Sequence, residues 1–145
     1  MLTLQDVSSS YGDANAIEAI TLQVKPGEIC AILGANGAGK TTILRTIMGR
    51  LPRMAGSITG PDDIRFAGRY THELARMGVA YVPEGRGILY SLTVRENVLV
   101  GATSLRKRRS GSLQDSIEAR LDHVLTRFPI LRERLDQPAG LLSGG

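Results

Sequence analysis

Alternation of apolar and polar residues predicts short β-strands at the start of the chain. Residues 2–7 and 21–24 alternate in the way that half-buried strands do. Between them, Tyr11-Gly12-Asp13 is typical of a turn, and residues 25–28 (Lys-Pro-Gly-Glu) predict a second turn. The pattern therefore predicts two strands near the amino terminus. A further short strand is expected around residues 57–59.

Two runs are apolar throughout, which is typical of strands covered on both faces. They are residues 29–33 and 79–82, and Cys30 is accordingly expected to be a small core residue. A glycine-rich loop at residues 34–39 follows the first run. The helix predicted after this loop has apolar residues on one face at Ile43, Leu44, Ile47, Met48 and Leu51.

Helical patterns also occur later in the chain. Residues 71–77 and 93–100 predict short helices, and a longer amphipathic helix is expected after residue 112. Its apolar positions are Ile117, Leu121, Val124, Leu125 and Phe128. Residues 105–112 are basic and contain Gly and Ser, so they are expected to form an exposed linker. No internal repeat is visible.

Composition narrows the class of protein. The 145 residues are 42% apolar and 22% charged, which excludes wholesale disorder and suits one ordinary domain. No apolar run approaches the roughly 18 residues that span a bilayer. One cysteine and an amino terminus without a signal-like apolar core favour a reducing, cytosolic setting. A net charge of +4 is compatible with an anionic partner but does not identify that partner.

A complete phosphate-binding motif, G-x-x-x-x-G-K-[ST], follows the first apolar run. The glycines allow successive N–H groups to face a phosphate, and the helix N-terminus adds positive potential. Lys40 can reach the β- and γ-phosphates, and the Thr41 hydroxyl suits Mg²⁺. Thr42 can reach the region of the α-phosphate. The predicted nucleotide-binding residues here are Gly34, Ala35, Asn36, Gly37, Ala38, Gly39, Lys40, Thr41 and Thr42.

Further motifs, in the expected order, make the whole chain resemble the first part of an ABC-transporter nucleotide-binding subunit. Tyr11 resembles the aromatic residue that stacks on adenine, and Ala16 the small apolar residue beside it. Residues 81–84 (Tyr-Val-Pro-Glu) occupy the place of the Q-loop. Residues 142–145 (Leu-Ser-Gly-Gly) match the start of the family signature, in which Ser143, Gly144 and Gly145 would serve the nucleotide of an opposing subunit.

The subtype is indicated by residues 82–86 and 92–97 (Leu-Thr-Val-Arg-Glu-Asn). They are similar to the LivF-type ATP-binding subunit of branched-chain amino acid importers. Glu84 stands where most of the family has Gln, and its oxygens can still approach Mg²⁺ or the attacking water. The resemblance thus implies Lys40 and Glu84 as catalytic residues, Thr41 and Glu84 near Mg²⁺, and ATP and Mg²⁺ as cofactors.

The resemblance implies an α/β P-loop NTPase fold of the ABC ATPase type. It includes an N-terminal antiparallel β subdomain and a partial helical subdomain, with the chain ending before the Walker B strand. Residues 1–83 would form the nucleotide-binding core, and residues 84–145 the Q-loop and helical subdomain. Membrane-spanning permease subunits and a second ATP-binding subunit are the implied partners, at the cytoplasmic face of the inner membrane. No apolar run ends in Asp-Glu, so the 145-residue chain alone is expected to be inactive.

Alternatives remain open at this point. The chain is also compatible with a related importer of urea or another amide, or with a nucleotide-binding module that does not hydrolyse ATP. A small P-loop kinase would need an acceptor-site Asp or an arginine-rich lid, and neither occurs at recognisable spacing. Residues 106–109 (Arg-Lys-Arg-Arg) lack interleaved aromatics, so a solvated loop is favoured over a nucleic-acid site.

Overall fold

The computed structural model describes residues 1–85, 87–102 and 113–142. The chain divides into two compact units, Met1–Tyr81 and Val82–Gly145. The predicted linker at residues 105–112 and the signature residues Ser143, Gly144 and Gly145 lie outside the described residues.

An antiparallel sheet of three strands forms one side of the first unit. Its strands are β1 (Leu2–Tyr11), β2 (Ala14–Val24) and β3 (Arg53–Thr59), in the order β2-β1-β3. Gly12, with φ of 57°, makes the tight turn between β1 and β2 that this residue type allows. Leu4 lies opposite Leu22 of β2 and Ile58 of β3. The sheet agrees with the predicted β subdomain, and both initial strands extend beyond the residues that the pattern indicated.

Two helices contribute to the core of the first unit. They are α1 (Lys40–Ile47) and α2 (Thr71–Arg76), close to the helices that the pattern predicts. The buried face of α1 includes Ile43 and Ile47, whereas Leu44 is exposed. The aliphatic core combines sheet, helix and loop residues: Leu4, Val7, Ile17, Ile43, Ile47, Ile58, Phe66 and Leu74.

The two apolar runs predicted as buried strands are not strands here, and that expectation is wrong for the chain as described. Residues 29–33 and 79–82 have no ladder partner, and Ile29, Leu33 and Val82 are 97%, 89% and 82% exposed. Cys30 is exposed as well, contrary to its predicted place in the core. A strand requires hydrogen bonds from a neighbouring strand, and no described segment provides one to either run.

The second unit is built from helices. They are α3 (Val94–Val100) and α4 (Leu113–Arg127), followed by 3₁₀ helices at Pro129–Arg134 and Ala139–Leu141. Both α-helices were predicted from the sequence, and α4 specifically from the spacing of its apolar residues. The buried apolar residues of the unit are Val94, Leu121, Leu125 and Ala139.

Ion pairs link the helices of the second unit to one another. Arg95 of α3 contacts Glu118 of α4 at 2.8 Å. Asp122 of α4 contacts Arg132 at 2.7 Å, in the 3₁₀ helix that follows. Because these side chains are about half exposed, each pair contributes roughly 0–1 kcal/mol, and apolar burial dominates the stability of the unit. Among the described residues, none of the helices combines the length and the apolar composition that a membrane span requires.

Candidate nucleotide-binding site

The glycine-rich loop leads directly into α1. Gly37 and Gly39 have φ of 83° and 88°, the left-handed region that glycine adopts without strain. Ala38 N–H donates to the Ala35 carbonyl at 3.2 Å, which closes a turn inside the loop. The helix then begins at Lys40, and Ile43 N–H donates to the Gly39 carbonyl at 2.9 Å.

The first amides of α1 are the strongest candidates for binding an anion. The initial N–H groups of an α-helix have no intrahelical acceptor, and no side chain caps this helix. These N–H groups lie at the N-terminal end of the helix, which carries positive potential. The backbone of loop 34–39 and of the first turn of α1 thus offers donors suited to phosphate oxygens.

Lys40 places a positive charge over the beginning of the loop. Its Nζ donates to the Gly34 carbonyl at 2.8 Å and to the Ala35 carbonyl at 2.7 Å. The side chain therefore runs back from the start of the helix across the loop. The ammonium therefore lies on the same loop as the amide donors.

Strand β2 packs closely against the end of the loop. A Cβ added to Gly39 would lie 2.8 Å from Ile17 Cγ2 and 3.0 Å from the Ala16 carbonyl oxygen. Ala16, the predicted neighbour of the adenine, thus contacts the loop through its backbone. Glycine at position 39 is required both by its φ and by the lack of space.

The two threonines after Lys40 differ in exposure. Thr41 is exposed, so its hydroxyl is accessible, as the predicted Mg²⁺ ligand requires. Thr42 is buried, and its carbonyl accepts a hydrogen bond from Thr46 Oγ1 at 2.9 Å. Thr42 therefore also belongs to the packing of α1 against the sheet.

Tyr11 lies at the end of β1 and is 46% exposed. Arg45 Nη1, on the last turn of α1, donates to the Tyr11 hydroxyl at 3.2 Å. This hydrogen bond, and then one with Thr42, lowers the pKa of Tyr11, and the bond to Tyr11 raises the pKa of Arg45. The structure thus brings Tyr11 into contact with the helix that carries Lys40 and Thr41.

Arg45 is the residue of this region that sequence reasoning missed. It is 34 positions from Tyr11, and no periodicity or motif in the chain connects the two. Its position on α1 was predictable, but its partner was not.

Glu84 belongs to the second unit, in an exposed turn before Gly85. The first unit brings together Tyr11, Ala16, the 34–39 loop, Lys40, Thr41 and Thr42. The proposed role of Glu84 rests on the sequence motif alone. The same holds for Ser143, Gly144 and Gly145, which lie outside the described residues.

The known proteins that this chain resembles include ATP-binding proteins of transport systems. The family model described as ABC transporter matches residues 17–145. The chain is 39% identical over 145 residues to the "High-affinity branched-chain amino acid transport ATP-binding protein BraG" of Pseudomonas aeruginosa. It is 36% identical over 149 residues to the "Nod factor export ATP-binding protein I" of Rhizobium etli.

These alignments cover the present chain almost completely but the relatives only in part. All of this chain matches 59% of BraG, and 99% of it matches 43% of the Nod factor export protein. A crystal structure of a nucleotide-free ATP-binding cassette from an ABC transporter has a TM-score of 0.78 at 25% identity. The structural match covers 99% of this chain and 59% of the chain in that crystal structure. This similarity confirms the expected ABC ATPase fold. Given a family match over residues 17–145, the chain belongs to the ABC transporter family.

Proposed function

We propose that this chain binds Mg²⁺-ATP and is part of a subunit that couples ATP hydrolysis to uptake of branched-chain amino acids. The observation that supports ATP binding most directly is the complete phosphate loop with Lys40 folded over it. The support for the solute is the 39% identity to BraG along the whole chain, together with residues 82–86 and 92–97. Another relative is named for Nod factor export, so family membership alone does not define the solute.

Each site residue has a distinct role in this proposal. The amides of residues 34–39 and Lys40 would hold the β- and γ-phosphates, and Thr42 would lie near the α-phosphate. Thr41 would supply one oxygen to Mg²⁺, which neutralises phosphate charge during transfer. Tyr11 would stack on adenine beside Ala16.

The remaining roles in the proposal belong to residues outside the first unit. Glu84 would contact Mg²⁺ or orient the attacking water. Its carboxylate repels the γ-phosphate more than an amide would, so a slow cycle is expected. Ser143, Gly144 and Gly145 would act on the nucleotide of a second ATP-binding subunit. Permease subunits would be the membrane partners, at the cytoplasmic face of the membrane.

A chimera tests the solute and the site together. Residues 1–145 of this chain replace the matched part of BraG in Pseudomonas aeruginosa cells that lack BraG, and leucine uptake is measured. We expect the chimera to restore uptake. Lys40→Ala should abolish it, because removing the charge-assisted contact weakens phosphate binding by about 1.5–3 kcal/mol. Lys25→Ala, in the exposed turn after β2, is the matched control and should retain uptake.

Two results would contradict the proposal in different ways. A chimera that binds ATP, reaches the membrane and supports no leucine uptake would contradict the branched-chain assignment. Such a result would fit the two alternatives, an importer of urea or another amide and a nucleotide-binding module that does not hydrolyse ATP. Equal ATP affinity of the Lys40→Ala and Lys25→Ala proteins would exclude the phosphate site itself.

A further inference from the structure

Two tyrosines and two arginines form a cluster beside α1, here called the tyrosine–arginine cluster: Tyr11, Arg45, Arg50 and Tyr81. Arg45 Nη1 donates to the Tyr11 hydroxyl at 3.2 Å. Hydrogen bonding to Tyr11 first, and then to Tyr81, raises the pKa of Arg45. The Arg50 Cζ atom lies 5.7 Å from the centroid of the Tyr81 ring. The guanidinium of Arg45 thus contacts the Tyr11 phenol, and the guanidinium of Arg50 lies over the Tyr81 ring.

Stability of the fold does not account for this arrangement. Tyr11, Arg45 and Arg50 are exposed and Tyr81 is half-buried. Hydrogen bonds between exposed side chains contribute little, because water competes for the same groups. None of the four belongs to the aliphatic core of the unit.

The contact does restrict the Tyr11 ring. The backbone of Tyr11 is held by its pairing with Ala14 in the hairpin, and Arg45 holds the hydroxyl at the far end of the ring. A ring fixed at both ends loses less rotational freedom when a planar ligand stacks on it, so more of the stacking energy appears as affinity. Arg45 also lies on α1, whose first turn contains Lys40 and Thr41.

We propose that Arg45 is a positioning residue for the nucleobase: it holds the Tyr11 ring at a fixed place relative to the phosphate-binding start of α1. The inference rests on the proposed role of Tyr11 in stacking on adenine. Helix α1 would then set the distance between the Tyr11 ring, held at the last turn of the helix, and the phosphate site at the first turn. Among the described residues, the side chains whose hydrogen bonds lower the pKa of Tyr11 are Arg45 and then Thr42.

The test compares affinities for ATP and for inorganic triphosphate, which has no base. Arg45→Met should lower the affinity for ATP about threefold, because one exposed hydrogen bond is lost, and should leave the affinity for triphosphate unchanged. Tyr11→Phe removes the other partner of the same bond and should have the same effect. The double variant should be no weaker than either single one. Arg50→Met, which leaves the contact to Tyr11 intact, is the matched control and should bind ATP like the unmodified chain.

A spectroscopic readout separates positioning from a general loss of structure. The phenolate absorbance of Tyr11, taken as the difference from the Tyr11→Phe protein, should appear at lower pH than for an ordinary tyrosine. Arg45→Met should move that transition to higher pH, because the hydrogen bond that lowers the pKa of Tyr11 is gone. If the Arg45→Met protein does not fold, the Tyr11→Phe protein carries the affinity test.

Failure of this inference is distinguishable from failure of the proposed function. Tyr11→Ala should lower the affinity for ATP much more than the affinity for triphosphate. An equal loss of affinity for both ligands would overturn the stacking role of Tyr11 and with it this inference. Selective weakening by Tyr11→Ala, with unchanged ATP affinity in both Arg45→Met and Tyr11→Phe, would overturn the positioning role alone.

Discussion

At the scale of single residues, the shape of the phosphate loop depends on glycines that differ in their surroundings. Gly37 and Gly39 both have positive φ, but space is open around Gly37. At Gly39, β2 approaches so closely that a Cβ would meet Ile17 at 2.8 Å. Glycine at position 37 is required by its backbone conformation alone, whereas glycine at position 39 is required by both conformation and packing.

This difference predicts unequal effects of the same substitution. Gly37→Ala should lower the free energy of unfolding by about 1–2 kcal/mol, the cost of a left-handed alanine. Gly39→Ala should lower it by more, because β2 or the start of α1 must also move. Thermal unfolding of the two proteins is the measurement. Equal destabilisation would contradict the close approach of Ile17 to Gly39.

At the scale of secondary-structure elements, α3 shows how a subtype motif acts as a local structural unit. Glu96 Oε2 accepts from Thr93 N–H at 2.8 Å, and Glu96 N–H donates to Thr93 Oγ1 at 3.2 Å. Asn97 Nδ2 donates to the Leu89 carbonyl at 2.9 Å, and Asn97 Oδ1 accepts from Leu89 N–H at 2.9 Å. Residues 92–97 were used above as evidence for the family resemblance. They also contain the capping box that begins α3.

The capping box predicts a pH-dependent helix start. Thr93→Ala should destabilise α3 by about 0.5–2 kcal/mol, measured by faster amide exchange of Glu96 and Asn97. Hydrogen bonds from Thr93, the backbone one first, lower the pKa of Glu96. A lowered folded-state pKa means that the unfolded chain binds the proton more tightly. The stabilisation is therefore complete above the ordinary glutamate pKa and is lost as pH falls below it.

Amide exchange over the same pH range checks the sign. The difference between the unmodified protein and Glu96→Gln should shrink as pH falls through the ordinary glutamate value. Glu133→Gln, at an exposed position of the same unit, is the matched control and should leave α3 unchanged. A difference that grows on acidification would contradict the capping role of the Glu96 carboxylate.

At the scale of the whole molecule, the described chain has an exposed apolar surface beside the phosphate loop. Ile29 and Leu33 lie directly before this loop and are almost fully exposed, although five apolar residues in succession are typical of a covered strand. Exposed apolar segments of this kind promote association. The chain spans 59% of BraG, the relative to which it is 39% identical.

Turnover by these 145 residues is expected to be slow. Hydrolysis requires a group that orients or deprotonates water and Mg²⁺ held from two sides. Thr41 and Glu84 are the candidates here for Mg²⁺ contact, and no apolar run among the 145 residues ends in Asp-Glu. Steady-state phosphate release by the 145-residue chain should therefore be far slower than by the BraG chimera. Comparable rates would place the base within residues 1–145, and loss of release in the Glu84→Gln protein would then identify Glu84 as that base.

Local features were determined by the sequence itself. Helix hydrogen bonds join residues four apart, so the local sequence predicted α1, α3 and α4 close to where they lie. The phosphate loop was equally predictable, because its glycine φ values and the return of Lys40 to Gly34 and Ala35 involve residues within one short motif.

Non-local features were decided only by the tertiary structure. A strand takes its hydrogen bonds from another part of the chain, so the apolar pattern of residues 29–33 could not by itself make them a strand or bury Cys30. The fit of Gly39 against Ile17 and the contact of Arg45 with Tyr11 likewise join positions 22 and 34 residues apart. Such contacts depend on how the sheet packs on α1, because no spacing rule relates residues on separate elements.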